Sequence, residues 1–419
     1  MKRHLFALLA LLCCWTTSAA AGGITLYEIG TADLGTAYAG AAARAEDAAT
    51  AFTNPAGMTR LSGSQVIFGA QPMLIQSKFS TSSGTTTSGG GGGDAGGLMP
   101  AGGLYYVHHL NDDVRLGMTV NSFAGLGLDY DDDWSGRYFS QESSLYTYNF
   151  NPSAAYRVND WFSVGVGLHV VVAQQSMKLA FDNVAAGGAG PDGGIKYDAD
   201  TAGLGGTIGV LLEPREDLRL GLTYRTPIEL DFKNHAHTSG IDPTLIGQVV
   251  VDSLQNSVHT KLVLPQQVMA SVVYGLTDQL DVLANLGWEQ YSEFAKSMIR
   301  VRVLTQDVTE GRDYDDTWHA GIGLRYAVDE RWKVSCGFSY DSSMADTDVR
   351  TPDLPADRVF RYAGGLAYAW DDFSVGLNYE YADLGGASIS KSSALTGALA
   401  GRYDTNHIHI LGLTGEWTF

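Results

Sequence analysis

The sequence predicts an all-β protein: a transmembrane antiparallel β-barrel of about 14 strands, with an N-terminal segment plugging its lumen. Three observations carry that reading. The chain ends in HIHILGLTGEWTF, where His409, Leu411, Leu413, Trp417 and Phe419 share one parity and Gly412, Thr414 and Glu416 the other. A period of two with apolar residues on one side only is a strand between two different environments. Short polar turns recur between further alternating segments. The first residues form a secretory leader: Lys2 and Arg3, an apolar stretch from Leu5 to Trp15, then Ser18-Ala19-Ala20-Ala21. An exported chain of two-faced strands ending on an aromatic residue has the pattern of an outer-membrane barrel, with the Phe419 side toward lipid and the Glu416 side toward the lumen.

Taken in order, the signal peptide spans 1–21. Its apolar stretch is too short to cross a bilayer as a helix. Cys13 and Cys14 leave with it, and Leu12 before Cys13 argues against a lipoprotein anchor. Cys336 is then the last cysteine, so neither an intramolecular disulfide nor a cysteine metal site is expected.

Residues 22–62 do not alternate. GGITLYEIGTADLGTAYAGAAARAEDAATAFTNPAGMTRL is built from small side chains and cannot form a core of its own. It suits the inside of a barrel, where bulk is unwelcome. Asn54-Pro55 has the form of a helix cap followed by proline at the first helical position. These residues, with Ala56, are expected to form a plug against the barrel wall.

Residues 63–419 form the barrel. The turns are Asn111-Asp112-Asp113, Asn159-Asp160, Pro214-Arg215-Glu216-Asp217, Thr277-Asp278, Asp329-Glu330 and Asp371-Asp372. Six turns and two chain ends on one rim give seven hairpins and 14 strands. Longer loops fall between them, around 81–97, 129–142, 183–194, 233–256, 305–315, 344–357 and 387–403, and are expected outside the cell. Composition agrees: 51 Gly and 21 Tyr, with a mean hydropathy of −0.05 because lipid-facing and lumen-facing residues cancel. The net charge of −19 is spread through turns and loops and argues against a nucleic-acid partner.

The chain resembles the FadL/TodX-type outer-membrane transporters of long-chain fatty acids and hydrocarbons. The likeness lies in GGITLYEIG and LGTAYAGAAARAEDAATAFTNPAG, and further along in DYDDDWSGRY, NFNPSAAYRVND, RTPIELDF, LPQQVMASVVYGLTDQL and YDDTWHAGIGLRYAVDE. The resemblance implies a 14-stranded barrel, an N-terminal hatch, a ligand groove and pocket, and exit through the wall. The third mature residue, often aromatic in the family, is Ile24 here, a candidate ligand contact.

Parity sorts the strand residues. In LRLGLTYRTPIELD it sends Leu218, Leu220, Leu222, Tyr224, Ile228 and Leu230 to lipid, and Arg219, Arg225, Glu229 and Asp231 inward. His169, His319, Arg325, Arg361, Lys261, Asn121 and Phe123 also fall inside. Arg225 and Arg361, with Phe123 and His169 nearby, are the candidate pocket, because a guanidinium pairs bidentately with a carboxylate. The alternative is that the arginines pair with Glu229, Asp231, Glu380 or hatch acids and hold the plug. In IDPTLIGQVVVDSLQN, Asp242-Pro243 opens a helix whose Leu245, Ile246, Val249, Val250 and Leu254 share a face. That stripe is either a capture surface for a greasy substrate or a face covered by a neighbouring loop. On VRLGMTVNSFAGLGLDY, Gly117, Gly125 and Gly127 are read on the lumen side. Glycine there weakens the ladder, and Gly125 and Gly127 mark the candidate lateral exit.

Other signals are weak. The glycine runs at 91 and 188 do not join a strand to a helix. His235/His237 and His407/His409 lack a third ligand, and Asp129 with Asp131–Asp133 reads as a solvated loop. Neither a metal nor a cofactor is expected. No serine is placed to work with His169 or His319, so an enzyme is not expected. The expected function is passive outer-membrane transport of hydrophobic small molecules, with a general porin or a structural or adhesive barrel as alternatives. The expected setting is the outer membrane of a Gram-negative cell, with lipid and lipopolysaccharide around a monomer, both termini periplasmic, and Phe419 as the signal for the barrel-assembly machinery.

Overall fold

The computed structural model describes residues 29–122, 124–256, 258–295, 298–303, 306–310, 313–393 and 397–419. The expected leader and Ile24 lie outside the described residues, as does Phe123.

Fourteen staves close a single antiparallel barrel. They are β1 (Gln65–Thr81), β2 (Leu98–His109), β3 (Val114–Asn121, resumed as Gly125–Asp129), β4 (Glu142–Asn159), β5 (Phe162–Phe181), β6 (Gly193–Arg215), β7 (Leu218–Arg225), β8 (Gln267–Gly275), β9 (Leu280–Glu289), β10 (Thr317–Ala327), β11 (Trp332–Asp341), β12 (Val359–Ala369), β13 (Phe373–Asp383) and β14 (Gly397–Thr418). Each pairs with the next, and β14 pairs with β1. Closure removes the free edges that a lipid phase would leave unsatisfied. The six polar turns and Phe419 gather on one rim, the turn side; the long loops gather on the other, the loop side.

Exposure follows the expected parity over most of the wall. Phe419, Trp417, Leu413 and Leu411 are exposed, as are Cys336 and Phe338 on β11. Outward aromatics ring the turn side, among them Trp161, Trp332, Trp370 and Trp417. A second set, including Tyr148, Trp318, Tyr362 and Tyr379, stands nearer the loops. Two such girdles bound a lipid-facing band.

Parity fails in two places, each with a local cause. The register of β3 on β4 runs from Asn121↔Asn149 to Gly125↔Tyr146, so β3 carries one extra residue there. This is a β-bulge, and it flips every side chain beyond it. Gly117 faces the lumen, but Gly125 and Gly127 face outward, opposite the exposed Tyr146. The second failure is at Thr226-Pro227. The ladder of β7 ends at Arg225, and residues 228–234 cross to the lumen side of β6, where they join a four-stranded sheet with 258–264, 298–303 and 306–310. Ile228 and Leu230 are therefore buried rather than lipid-facing. Glu229 and Asp231 are exposed and pair with Lys261 and Lys233, at 2.8 and 2.6 Å.

Candidate functional site: a hatch, a polar girdle and an apolar chamber

The lumen is layered. On the turn side lies the hatch, a compact run of short helical turns at 32–36, 41–44, 50–53 and 55–60. Its alanines and glycines allow backbone to lie against wall. A side chain on Gly165 would collide with Pro55-Ala56, one on Gly209 with Asn54, one on Gly221 with Ala42 and one on Gly337 with Thr36. The wall glycines thus form a mortise for the plug.

Asn54 joins hatch and wall. Its Nδ2 donates to the Ala42 carbonyl at 2.6 Å and to the Val210 carbonyl of β6 at 2.9 Å, while its Oδ1 accepts from the Ala56 amide at 3.1 Å. Asn54 and Ala56 are buried, and Pro55 begins the 55–60 turn. Ionic contacts add to the join. Glu46 meets Arg219 at 2.9 Å and Arg325 at 2.6 Å, and Arg44 bridges Asp33 and Asp47 within the hatch. Burial pushes the Glu46 carboxyl up, but Arg325, Arg219 and Arg44 together outweigh it and hold its pKa down at about 2. Beneath the hatch, Arg44, Glu46, Arg325, Lys333 and Glu416 line a charged vestibule that opens toward the turn side.

Just above the hatch, eleven consecutive staves each point a buried polar side chain inward: Asn121, Asn149, His169, Thr207, Arg225, Gln267, Glu289, His319, Asp341, Arg361 and Glu380. Many touch their neighbours. Asn149 donates to Asn121 at 3.0 Å. His169 Nδ1 lies 3.1 Å from Asn149 Oδ1 and Nε2 lies 2.7 Å from the Thr207 hydroxyl. Gln267 donates to Glu289 at 2.5 Å. His319 Nδ1 lies 2.7 Å from Asp341, which also binds Arg361, and Arg361 Nε lies 3.5 Å from Glu380. Arg361 is thus engaged with wall carboxylates, including the Glu380 of the alternative reading. Arg225 lies 4.8 Å over the ring of hatch residue Phe52, and His169 meets the same ring edge-on at 6.0 Å. Sequence reasoning found Asn121, His169, Arg225, His319 and Arg361 singly, and Glu380 as a possible arginine partner; it missed the girdle, because only the register brings residues from different staves to one height.

Above the girdle the lumen turns apolar. Met73, Ile75, Leu128, Leu145, Val171, Met177, Ile195 and Ile410 line the wall, and Ile228, Leu230, Phe232 and Leu262 face them from the inboard sheet. The loop helix spans Leu245–Asn256. Thr244, not Asp242, caps it, accepting from the Gly247 amide at 3.0 Å; Asp242 instead takes the Ala189 amide at 2.7 Å and ties down the 183–194 loop. Of the apolar stripe, Val250 and Leu254 are buried in the core, Ile246 and Val249 pack against it, and Leu245 alone stands fully exposed. Most of that face is covered by its own chain. Tyr130 and Trp134 stack at 3.9 Å, and Tyr130 meets Tyr403 hydroxyl to hydroxyl at 2.6 Å, closing the mouth from the 129–142 loop.

The wall is interrupted at this height. Between Asn121 and Gly125 the ladder to β2 stops, and the amide and carbonyl of Ala124 turn to the Thr147 hydroxyl, at 2.7 and 2.6 Å. The outward face of Gly125 comes to rest against Met99, a buried side chain of β2. Residues 125–129 therefore lie inboard of β2 and leave a gap in the pairing.

Comparison with known proteins points the same way. Residues 12–419 match the family described as outer membrane protein transport protein (OMPP1/FadL/TodX). The long-chain fatty acid transport protein of Escherichia coli O6:H1 is 28% identical over 397 residues, covering 87% of this chain and 88% of that protein. Outer membrane protein P1 of Haemophilus influenzae is 27% identical over 406 residues, covering 86% of each. Among solved structures, a Pseudomonas aeruginosa FadL homologue superposes with a TM-score of 0.86 at 22% identity, covering 95% of this chain and all of the other. The P. putida toluene transporter TodX gives a TM-score of 0.69 at 18% identity, over 92% of this chain and 99% of its own. With a family match running to the last residue and a hatch-plugged 14-stranded barrel beneath it, the chain belongs to the OMPP1/FadL/TodX family of outer-membrane transport proteins.

Proposed function

We propose that the protein carries hydrophobic small molecules, long-chain fatty acids or related hydrocarbons, across the outer membrane by passive diffusion. The observation that carries this reading is the layering: an apolar chamber over a polar girdle, over a plug that blocks the straight path. A polar solute gains nothing from such a chamber, and a filled lumen is a poor diffusion pore. The relatives named for long-chain fatty acid transport and for toluene transport support the same class of cargo.

An amphiphile in this lumen keeps its tail in the chamber and its head at the girdle. Arg225 is the proposed head-group reader, with His169 beside it, because its guanidinium lies at the girdle over the Phe52 ring and a guanidinium pairs bidentately with a carboxylate. Leu245, backed by Ile246 and Val249, is the proposed first contact at the mouth. The β3 bulge, with Gly125 and Gly127, is the proposed way out into the membrane. The charged vestibule under the hatch favours this side exit, since a hydrophobe passing straight through would have to cross it. The termini face the periplasm, Phe419 addresses the assembly machinery, and the barrel works as a monomer amid lipopolysaccharide.

Uptake of radiolabelled oleate and toluene by cells carrying the protein tests the reading. Arg225→Met is expected to weaken oleate binding by about 1.5–3 kcal/mol, the range for a hydrogen bond to a charged group, and to leave toluene uptake unchanged. Gly125→Trp is expected to stop both. Large ion conductance in planar bilayers with no uptake of either probe would establish a porin instead.

A further inference from the structure

The wall has a second interruption, one that the β3 bulge does not explain. β6 pairs with β7 from Arg215 up to Thr207, and its next partner on that edge is Ala236, opposite Tyr197. Residues 198–205 of β6 have no in-plane neighbour on that edge among the described residues. The chain that would continue β7 turns inward at Thr226-Pro227 and lies flat on the lumen face of β6. Gly203 and Gly205 permit this, since a side chain on either would strike Ile228.

The overlap is held by a few polar ties at its ends. At the base, the Thr226 amide donates to the Gly206 carbonyl at 2.9 Å and its hydroxyl accepts from the Gly206 amide at 2.8 Å. Farther along, the Thr201 hydroxyl donates to the Asp231 carbonyl at 2.9 Å, and Asn234 Nδ2 to the Asp198 carbonyl at 2.5 Å. Between the ties, Ile228 and Leu230 rest on bare glycine. The outer surface at the base of the seam is apolar, where Leu204, Ile208, Val166 and Leu168 are all at least half exposed; Asp198 and Asp200 stand outward at its upper end. The inner surface is the chamber.

A thin, glycine-floored overlap with apolar surface on both sides presents little polar barrier to an apolar molecule. We propose that this seam is a lateral inlet, through which an uncharged hydrocarbon dissolved in the outer leaflet reaches the chamber, with 228–234 as its flap. The inlet rests on the transport reading above and adds to it a route from the membrane, distinct from the mouth and from the β3 gap.

The test locks the base of the seam. Gly206 and Thr226 are changed to cysteine in a Cys336→Ser background, where the geometry favours a bridge, since an added Gly206 Cβ would lie 4.0 Å from Thr226 Cγ2. A control pair, Val166→Cys with Ile208→Cys, bridges directly opposed residues of the intact β5–β6 ladder. Uptake of radiolabelled hexadecane by whole cells is measured after oxidation with diamide and again after dithiothreitol. The expected result is at least a tenfold loss in the oxidised seam pair, reversed by dithiothreitol, with the control pair unaffected. Undiminished uptake in the fully bridged seam, or equal loss in both pairs, overturns the inlet and leaves transport standing. No uptake in the Cys336→Ser parent overturns the transport reading and the inlet with it.

Discussion

Below the girdle, hatch backbone lies directly on wall glycines, with a few polar side chains to tie it; above it, the loops pack on the wall mainly through apolar side chains. In the lower lumen, Ala42 and Thr36 lie against Gly221 and Gly337 with no room for a methyl group. In the upper lumen, Leu254, Phe232, Met177 and Leu145 pack as flexible apolar bulk. Contacts fixed by backbone have one solution. Side-chain packing has neighbouring solutions of similar energy and tolerates volume-conserving change. The lower lumen is built to stay shut, and the upper to reshape around a guest.

The comparison breaks most sharply at a mortise glycine. Gly337→Leu drives a side chain into the Thr36 carbonyl and is expected to cost about 3 kcal/mol or more by overpacking. Because the clash is with backbone, the hatch should leave its seat. Planar-bilayer conductance should rise from near zero to that of an open barrel, and cells should become sensitive to large antibiotics. A silent variant would show the hatch seat to be soft.

A buried loop residue should fail differently. Leu254→Ala leaves a cavity in the chamber wall, at about 2–5 kcal/mol for a buried leucine. The expected outcome is faster proteolysis of the 245–256 helix and altered uptake, with conductance unchanged. A rise in conductance would erase the distinction between the two halves.

Asn54→Ala is smaller in energy and confined to the hatch. It removes two donated hydrogen bonds and a cap, about 1–3 kcal/mol. Barrel insertion, followed by heat-modifiable gel mobility, should be unaffected, while a cysteine at Ala56 should become reactive to a charged thiol reagent.

Glu46 sharpens the comparison through pH. Its folded carboxyl is held below its ordinary value, so its stabilising contribution is complete above that value. It declines as pH falls toward about 2 and is gone below it. Acidification through that window should raise planar-bilayer conductance of the wild type as the hatch loosens. In Glu46→Gln the conductance should be raised already at neutral pH and should change little with acid.

The 14 staves were legible because each short turn needs particular residues: Asn111 and Asp329 each accept amides from the turn they open. The hatch was legible from small residues in a chain that otherwise alternates. A bend in the third stave was legible from its glycines, but the flip of Gly125 and Gly127 was not, because one residue inserted between Asn121 and Gly125 leaves a valid alternating pattern on either side of it. The crossing at Pro227 was hidden for the same reason: RTPIELDF keeps its parity while the chain changes layers. The girdle was hidden because its neighbours, such as His169 and Thr207 or Asp341 and Arg361, are set by pairing between staves rather than by local spacing.

The closing pair of the barrel bears on how the molecule is assembled. Ser64 and Phe419 exchange backbone hydrogen bonds at 3.0 and 2.9 Å, and β1, whose Gly69 abuts hatch Gly30, zips onto β14. This contact joins residues some 350 positions apart and carries the largest loop-closure entropy in the chain, so it belongs late in folding. The hatch is tethered directly to the strand that makes it. Until that strand docks, the plug can enter from the side; afterwards, entry is confined to the end of the cylinder. The Gly30–Gly69 contact therefore couples the sealing of the cylinder to the seating of its plug.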